Sequence, residues 1–185
     1  GMIEMLDGAK ALEMQPLPLG DRFAIVTNAG GPGIIATDSM GQSPSLSPAS
    51  FSQRSVEALR RMLPPMATVG RPDGYVDMSA AADESQHALA AEILLDDPGV
   101  DGVILLTVPP SFLSPDLLAE RIASKLAGAG KPVLLCVMAG EHVRTCRRTL
   151  EQKGVPTFDT PERTVYAASV LAERARYLRS LGGGC

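Results

Sequence analysis

The sequence predicts an α/β domain: a parallel sheet with helices on both faces, in three layers. Three observations lead there. The runs Phe23-Ala-Ile-Val26, Val103-Ile-Leu-Leu106 and Val133-Leu-Leu-Cys136 are apolar without polar alternation, as strands buried on both faces require. Helical patterns follow these strands, and such alternation calls for right-handed crossovers and a sheet covered on each side. At 185 residues, 45% hydrophobic and 21% charged, the chain is long enough for one domain with a real core.

The elements follow in order. Residues 2–14 read as a short helix with Ile3, Leu6 and Ala9 or Lys10 at helical spacing, and the Pro-rich stretch 15–20 breaks it. Residues 1–19 are thus expected to be a helix and linker left over from a preceding domain, 20–181 a single domain, and 182–185 a frayed tail. Gly1 ahead of Met2 reads as the remnant of a cleaved tag. The first strand covers about 22–28 and the first helix about 32–41. The Ser/Pro-rich stretch 41–50 is a loop or a frayed edge strand. Residues 52–63 form a helix with Val56, Leu59 and Leu63 on one face, stopped by Pro64-Pro65. Residues 67–78, with Gly70, Pro72 and Gly74, read as an irregular loop with a short strand. A helix over about 81–95 ends at the turn Asp96-Asp-Pro-Gly99, and a strand spans 100–108. Ser114 and Pro115 are the N-cap and first residue of a helix to about 127, which Gly128 and Gly130 end. A strand over 132–138, a helix over 141–153 with Gly154 after it, a short strand at 155–158 and a helix over 160–181 complete the chain.

The segment Arg22-Phe-Ala-Ile-Val-Thr-Asn-Ala-Gly-Gly-Pro-Gly33 carries the most chemistry. It is a buried strand, a glycine turn and a helix start, with Pro32 placed where its missing N–H costs nothing. Such a helix start offers unpaired N–H groups and a positive dipole end, which suit a phosphate. Ligands of open parallel sheets sit beyond the carboxyl ends of the strands. Here those ends are Thr27 to Gly31, Thr107 to Ser111 and Ala139 to Glu141.

Other chemistries find less support. A net charge of −4 with no basic stripe argues against a nucleic-acid surface. Cys136, Cys146 and Cys185 form no CxxC pair and bind no metal at that scatter, and they fit a reducing cytoplasm. Residues 2–12 lack the basic start and apolar core of a signal peptide, and no apolar run reaches the ~20 residues that span a membrane. Gly31-Pro-Gly-Ile-Ile-Ala36 has the form of the dinucleotide fingerprint, but residues 39–56 hold no acid for a ribose, so nicotinamide binding ranks below a phosphoryl site. Gly128-Ala-Gly-Lys131 continues into Pro132 and is no Walker motif, and no GxSxG elbow occurs. His87 is expected to be half-buried packing. His142, in the first turn of a helix beyond a strand end, is better placed for a neutral, nucleophilic imidazole but has no nearby carboxylate to orient it. Asp96 and Asp97 are expected in a solvated turn, Asp77 in a loop without a partner, and Arg144, Arg147 and Arg148 on a wet helix face.

The glycine segment, extended to Asp38, resembles a stretch of the NDP-forming acyl-CoA synthetases, the relatives of succinyl-CoA synthetase that include ADP-forming acetate–CoA ligase. Further matches keep the family's order: Leu59-Arg-Arg-Met-Leu-Pro-Pro65, Ala67-Thr-Val-Gly70, Leu94-Leu-Asp-Asp-Pro-Gly-Val-Asp-Gly-Val-Ile-Leu105, Lys131-Pro-Val-Leu134 and Val155-Pro-Thr-Phe-Asp-Thr-Pro-Glu-Arg163. The resemblance implies the flavodoxin-like domain that follows the phosphohistidine domain. Its parent enzyme interconverts acyl-CoA, ADP and phosphate with acid, CoA and ATP, using Mg, through a phosphorylated histidine. This chain has no Ser-His-Thr-Gly-like loop, so that histidine, the CoA-binding domain and the ATP-grasp domain or subunit are implied as partners, with a homodimer as a further option. Where the family has Gly-Asn-Pro-Val-Asp-Leu, this chain reads Gly70-Arg-Pro-Asp-Gly-Tyr-Val-Asp-Met78, and the stretch from Ser43 to Phe51 is unusually polar.

The expected site pairs two helix starts. The segment Thr27, Asn28, Ala29, Gly30, Gly31 and Gly33 would face Pro110, Ser111 and Ser114, with the glycine N–H groups and the Thr, Asn and Ser side chains donating to a phosphoryl group or phosphohistidine loop. The chain alone is expected to be inactive. The alternatives are a non-catalytic interaction module of the same fold and a dinucleotide-binding domain.

Overall fold

The structure, a computed structural model, describes residues 1–182, so the tail expected at 182–185 lies almost wholly outside the described residues. The chain runs α1 (Met2–Met14), β1 (Arg22–Thr27), α2 (Gly30–Gln42), β2 (Ser47–Pro48), α3 (Gln53–Met62), β3 (Thr68–Val69), β4 (Tyr75–Asp77), α4 (Glu84–Leu95), β5 (Gly102–Thr107), α5 (Pro115–Leu126), β6 (Val133–Val137), a 3₁₀ turn (Gly140–Val143), α6 (Arg144–Gln152), β7 (Thr157–Phe158) and α7 (Pro161–Gly182).

The sheet order is β3-β4-β1-β5-β6-β7, parallel throughout except for the antiparallel pair β3 and β4. With β3 set aside, the parallel strands stand in the order 2-1-3-4-5 of a flavodoxin-like sheet. The strand beside β1 is a composite. β2 pairs with Arg22 and Phe23, and β4 pairs with Ile25 to Thr27, on the same side of β1. The stretch read as a loop or frayed edge strand and the one read as an irregular loop with a short strand therefore each supply half of the strand beside β1. The two pieces meet at Gly74, whose φ is +72° and whose missing Cβ would lie 2.7 Å from the backbone nitrogen of Ala49. Only glycine fits that junction.

Successive strand residues point to opposite faces. On β5, Val103 and Leu105 belong to one core with Leu94 of α4 and Ile122 of α5, while Ile104 and Leu106 belong to another with Ala168 and Leu171 of α7. Two apolar cores, one per face, explain why the strand is apolar from Val103 to Leu106. α3 to α6 cover one face; α2 and α7 cover the other.

α1 packs through an unexpected stripe. Asp7, Gly8 and Ala11 are buried, whereas Ile3 and Leu6 are exposed. The small residues allow close approach, and a Cβ on Gly8 would already meet Val170 of α7 at 3.3 Å. The carboxylate of Asp7 takes both Nε and Nη2 of Arg163 at 2.7 Å. Gln15 accepts the Val133 N–H and donates to the Gly154 carbonyl. The opening helix is thus bound tightly to the sheet layers.

Three further expectations need correction. Asp97 is 1% exposed, since it accepts from the backbone and hydroxyl of Ser52, both at 2.8 Å, and from the Gly99 N–H at 2.7 Å, fixing the start of α3. Burial pushes its pKa up, but the donors from Ser55, Gly99 and Ser52 outweigh this and hold it below the usual carboxylate range. Arg147 is drawn off the wet face because its Nε donates to the Val137 carbonyl at the end of β6. His87 is fully buried rather than half-buried.

Candidate functional site

The geometry of a doubly wound sheet puts the ligand crevice where neighbouring crossovers leave in opposite directions. Here that point lies between β1 and β5, which pair from Phe23↔Gly102 to Thr27↔Leu106. α2 leaves β1 toward one face, and α5 leaves β5 toward the other. Both helix starts therefore flank one crevice at the carboxyl edge.

Asn28 spans the crevice floor. Its Nδ2 donates to the Val108 carbonyl at 3.0 Å, and its Oδ1 accepts the Val108 N–H at 2.9 Å. The Thr27 hydroxyl donates to the Ala29 carbonyl at 2.8 Å and accepts the Ala29 N–H at 3.0 Å. Both side chains shape the turn and are spent on it.

The free donors are main-chain groups. α2 begins at Gly30, two residues before the expected start, with Ala29 as N-cap. Pro32 is then the third helical residue, still within the turn whose N–H groups have no intrahelical acceptor. Gly33 N–H donates to the Ala29 carbonyl at 3.3 Å. The N–H groups of Gly30 and Gly31 have no acceptor among the described residues, and both glycines are exposed. A Cβ on Gly31 would meet nothing within 4 Å. Gly33 is the opposite case: its Cβ would lie 2.3 Å from the Tyr75 hydroxyl and 2.8 Å from Thr27 Cγ2, so this glycine lets α2 sit directly on the sheet.

Across the crevice, Ser114 caps α5 by accepting the Leu117 N–H at 3.3 Å, while its own N–H donates to Glu84 at 2.7 Å. The Pro110 carbonyl accepts the Leu113 N–H at 3.0 Å, and Ser111 stands exposed at the loop tip. Of the side-chain donors expected on this side, the Ser111 hydroxyl has no partner among the described residues, and the Ser114 hydroxyl is used as an acceptor, which leaves its proton to donate.

Two residues at this edge gave no usable signal in the sequence. Asp77 ends β4 level with Thr27; its Oδ1 accepts the Ser79 N–H at 2.8 Å, and its Oδ2 lies 3.6 Å from a Cβ built on Gly30. It holds the strand-end position where a dinucleotide fold carries its acid, but far later in the chain than ~20 residues after the glycines. The composite strand hid it. His87 lies behind the end of β5: Nδ1 is 2.7 Å from the Asp83 carbonyl and Nε2 is 3.3 Å from Thr107 Oγ1. A carbonyl only accepts, so Nδ1 carries the proton and Nε2 accepts from Thr107. Burial drives the His87 pKa down, against the opposing pull of Asp83 and Glu84. His142 is exposed in the 3₁₀ turn after β6, one strand beyond β5 from the crevice.

Among the described residues no group of three or more His, Cys, Asp or Glu side chains could hold a metal ion, and no helix is long and apolar enough to cross a membrane.

No family model matches the chain. Over 185 residues it is 42% identical to acetate–CoA ligase (ADP-forming) II subunit alpha of Pyrococcus furiosus, covering 98% of this chain and 39% of that subunit. It is 28% identical to the 4-hydroxybutyrate–CoA ligase (ADP-forming) of Nitrosopumilus maritimus, over 98% of this chain and 25% of that enzyme. The crystal structure of PH0766 from Pyrococcus horikoshii matches with a TM-score of 0.88 at 38% identity, over 95% of this chain and 40% of that one. An apo acetyl-coenzyme A synthetase of Ca. Korarchaeum cryptofilum has the same fold, with a TM-score of 0.87 at 24% identity over all of this chain and 40% of that one. The resemblance read from the sequence segments and the α/β fold are borne out. The chain spans about two fifths or less of each relative's length.

Proposed function

We propose, on the premise that this chain is a homologue of part of the ADP-forming acetate–CoA ligases, that it forms one wall of a cradle for a phosphohistidine loop brought by a neighbouring domain. The observation that carries this reading is the pair of exposed, unspent N–H groups on Gly30 and Gly31, set at the crevice by the Asn28 bridge. They sit at the positive end of the 13-residue helix α2. Donors already in place stabilise a transferring phosphoryl charge with no reorganisation during the reaction. The exposed apolar residues Ile34, Ile35, Val108 and Phe112 around the crevice give the arriving domain a surface to cover.

In the complete enzyme the reaction would convert acyl-CoA, ADP and phosphate into acid, CoA and ATP. The phosphohistidine and CoA-binding region and the ATP-grasp domain or subunit would be the partners, and CoA, nucleotide and Mg would be held there. The buried, unpaired thiols of Cys136 and Cys146 support the cytoplasm as its compartment.

The experiment compares Gly30→Pro with Gly30→Ala in the chain assembled with those partner domains. Proline at this first helical position removes the N–H, and Ala29 before it is already extended, so the first turn stays intact; alanine keeps the N–H. Phosphoryl transfer falls about a hundredfold or more in Gly30→Pro and stays near wild type in Gly30→Ala. Equal rates in the two variants reject the cradle and favour the same fold acting as an interaction module.

A further inference from the structure

A second concavity, of about 510 Å³, opens at the carboxyl ends of β6 and β7, bounded by α1, α6 and α7. Its volume falls in the range of small-molecule sites. Lys10, Arg144, Arg147, Arg148 and Arg163 line it, although the chain as a whole carries a net charge of −4. Three carboxylates, Glu141, Glu151 and Asp159, face these five cations. We infer that this groove binds a diphosphate group, free or carried by a nucleotide.

Two arginines in it already hold an anion. Asp159 bridges them, one oxygen on Arg147 Nη1 and the other on Arg163 Nη1. Neither guanidinium depends on Asp159 for its position. Arg163 is locked in a two-pronged pair by Asp7, which is 2% exposed, and Arg147 is held by the Val137 carbonyl. The Asp159 side chain is 56% exposed and has no other partner among the described residues. It fills a ready-made two-arginine seat that an anion of higher charge can claim. Guanidinium forks match phosphoryl oxygens in shape and charge.

The rest of the groove asks for a second charged centre. Arg148 makes no ion pair among the described residues, and Arg144 has only Glu141, with both side chains more than three-quarters exposed. Glu151 adds little repulsion, because Lys10 at 2.9 Å and the Thr157 hydroxyl at 2.7 Å already occupy it. One phosphoryl replaces the Asp159 carboxylate and the next meets Arg148 and Arg144. The groove lies at β6 and β7, on the far side of β5 from the β1–β5 crevice, shares no residue with it and owes nothing to the phosphohistidine reading.

Calorimetric titration of the chain with pyrophosphate, ADP and phosphate, followed by amide NMR, tests this. Pyrophosphate and ADP bind alike and more tightly than phosphate, with shifts centred on Arg144, Arg148 and Asp159. Tighter ADP than pyrophosphate, with the same shifts, identifies a nucleotide as the carrier. Arg144→Gln and Arg148→Gln, both at exposed positions, each weaken pyrophosphate by up to about fivefold, and Asp159→Asn tightens it by a similar factor. Three outcomes overturn the inference: no binding, phosphate as tight as pyrophosphate, or shifts confined to Gly30 and Gly31.

Discussion

The Asn28 side-chain amide and the Val108 backbone exchange two hydrogen bonds, at 3.0 and 2.9 Å, across the boundary between β1 and β5. No other residue type of that length offers a neutral donor and acceptor side by side except in the reach of glutamine, which is one methylene too long for the same seat. Asn28→Ala leaves both Val108 groups without their partner and costs about 1–3 kcal/mol in urea unfolding. Asn28→Asp keeps the acceptor but sets a carboxylate against a carbonyl, and is expected to cost at least as much.

Gly31 and Gly33 are two residues apart in one helical turn and respond oppositely to a methyl group. Gly33→Ala drives a Cβ into Tyr75 and Thr27 and destabilises by about 1–3 kcal/mol. Gly31→Ala enters open space and is neutral or stabilising by up to about 1 kcal/mol. Denaturant midpoints of the two variants read the difference directly.

His87 makes the fold acid-sensitive. In the unfolded chain its imidazole takes up a proton as the pH falls through about 6.5. Buried His87 resists charging until lower pH, so over that window the unfolded state binds more protons and stability falls as acid is added. Urea midpoints at pH 7.5 and 5.5 are expected to drop for wild type and to drop less for His87→Gln.

Cys136 and Cys146 are expected to be inert. Burial pushes their pKa values up to about 12 and about 11, so neither supplies thiolate near neutrality. In a Cys185→Ser background, a thiol reagent labels neither residue until denaturant unfolds the chain. Labelling under native conditions contradicts the packing described above.

The Asp7–Arg163 pair fixes α1, and its two halves are unequal. Arg163→Ala strands a carboxylate that is 2% exposed, whereas Asp7→Ala frees a guanidinium that still reaches water. The first is expected to cost about 3 kcal/mol and the second distinctly less. Thermal unfolding of both variants orders them.

How much of this was legible depended on whether the signal was local. The strand, turn and helix from Arg22 onward, the Ser114-Pro115 start of α5 and the left-handed Gly154 after α6 each rest on neighbouring residues, and each was readable. Of β4 only a short strand somewhere in 67–78 was readable; its place beside β1 was not, because three residues, Tyr75 to Asp77, carry no periodicity and join β1 only through tertiary pairing. That gap also concealed Asp77 at the crevice. Asp97 looked like turn decoration because its donors on Ser52 lie 45 residues earlier. In the same way, Thr27 and Asn28 read as ligand donors in the sequence, and only the coordinates reveal the Ala29 and Val108 groups that occupy them.

The outer strands of the sheet, β3 and β7, are two residues long each. Such stubs give a stray extended segment almost no ladder to extend, and at β7 the Lys10 ammonium already takes the Thr157 carbonyl at 2.7 Å, so short edges guard this protein against edge-to-edge polymerisation. Concentrated solutions should therefore resist fibre growth for as long as the fold holds, and seeds should take hold only once β5 or β6 is uncovered.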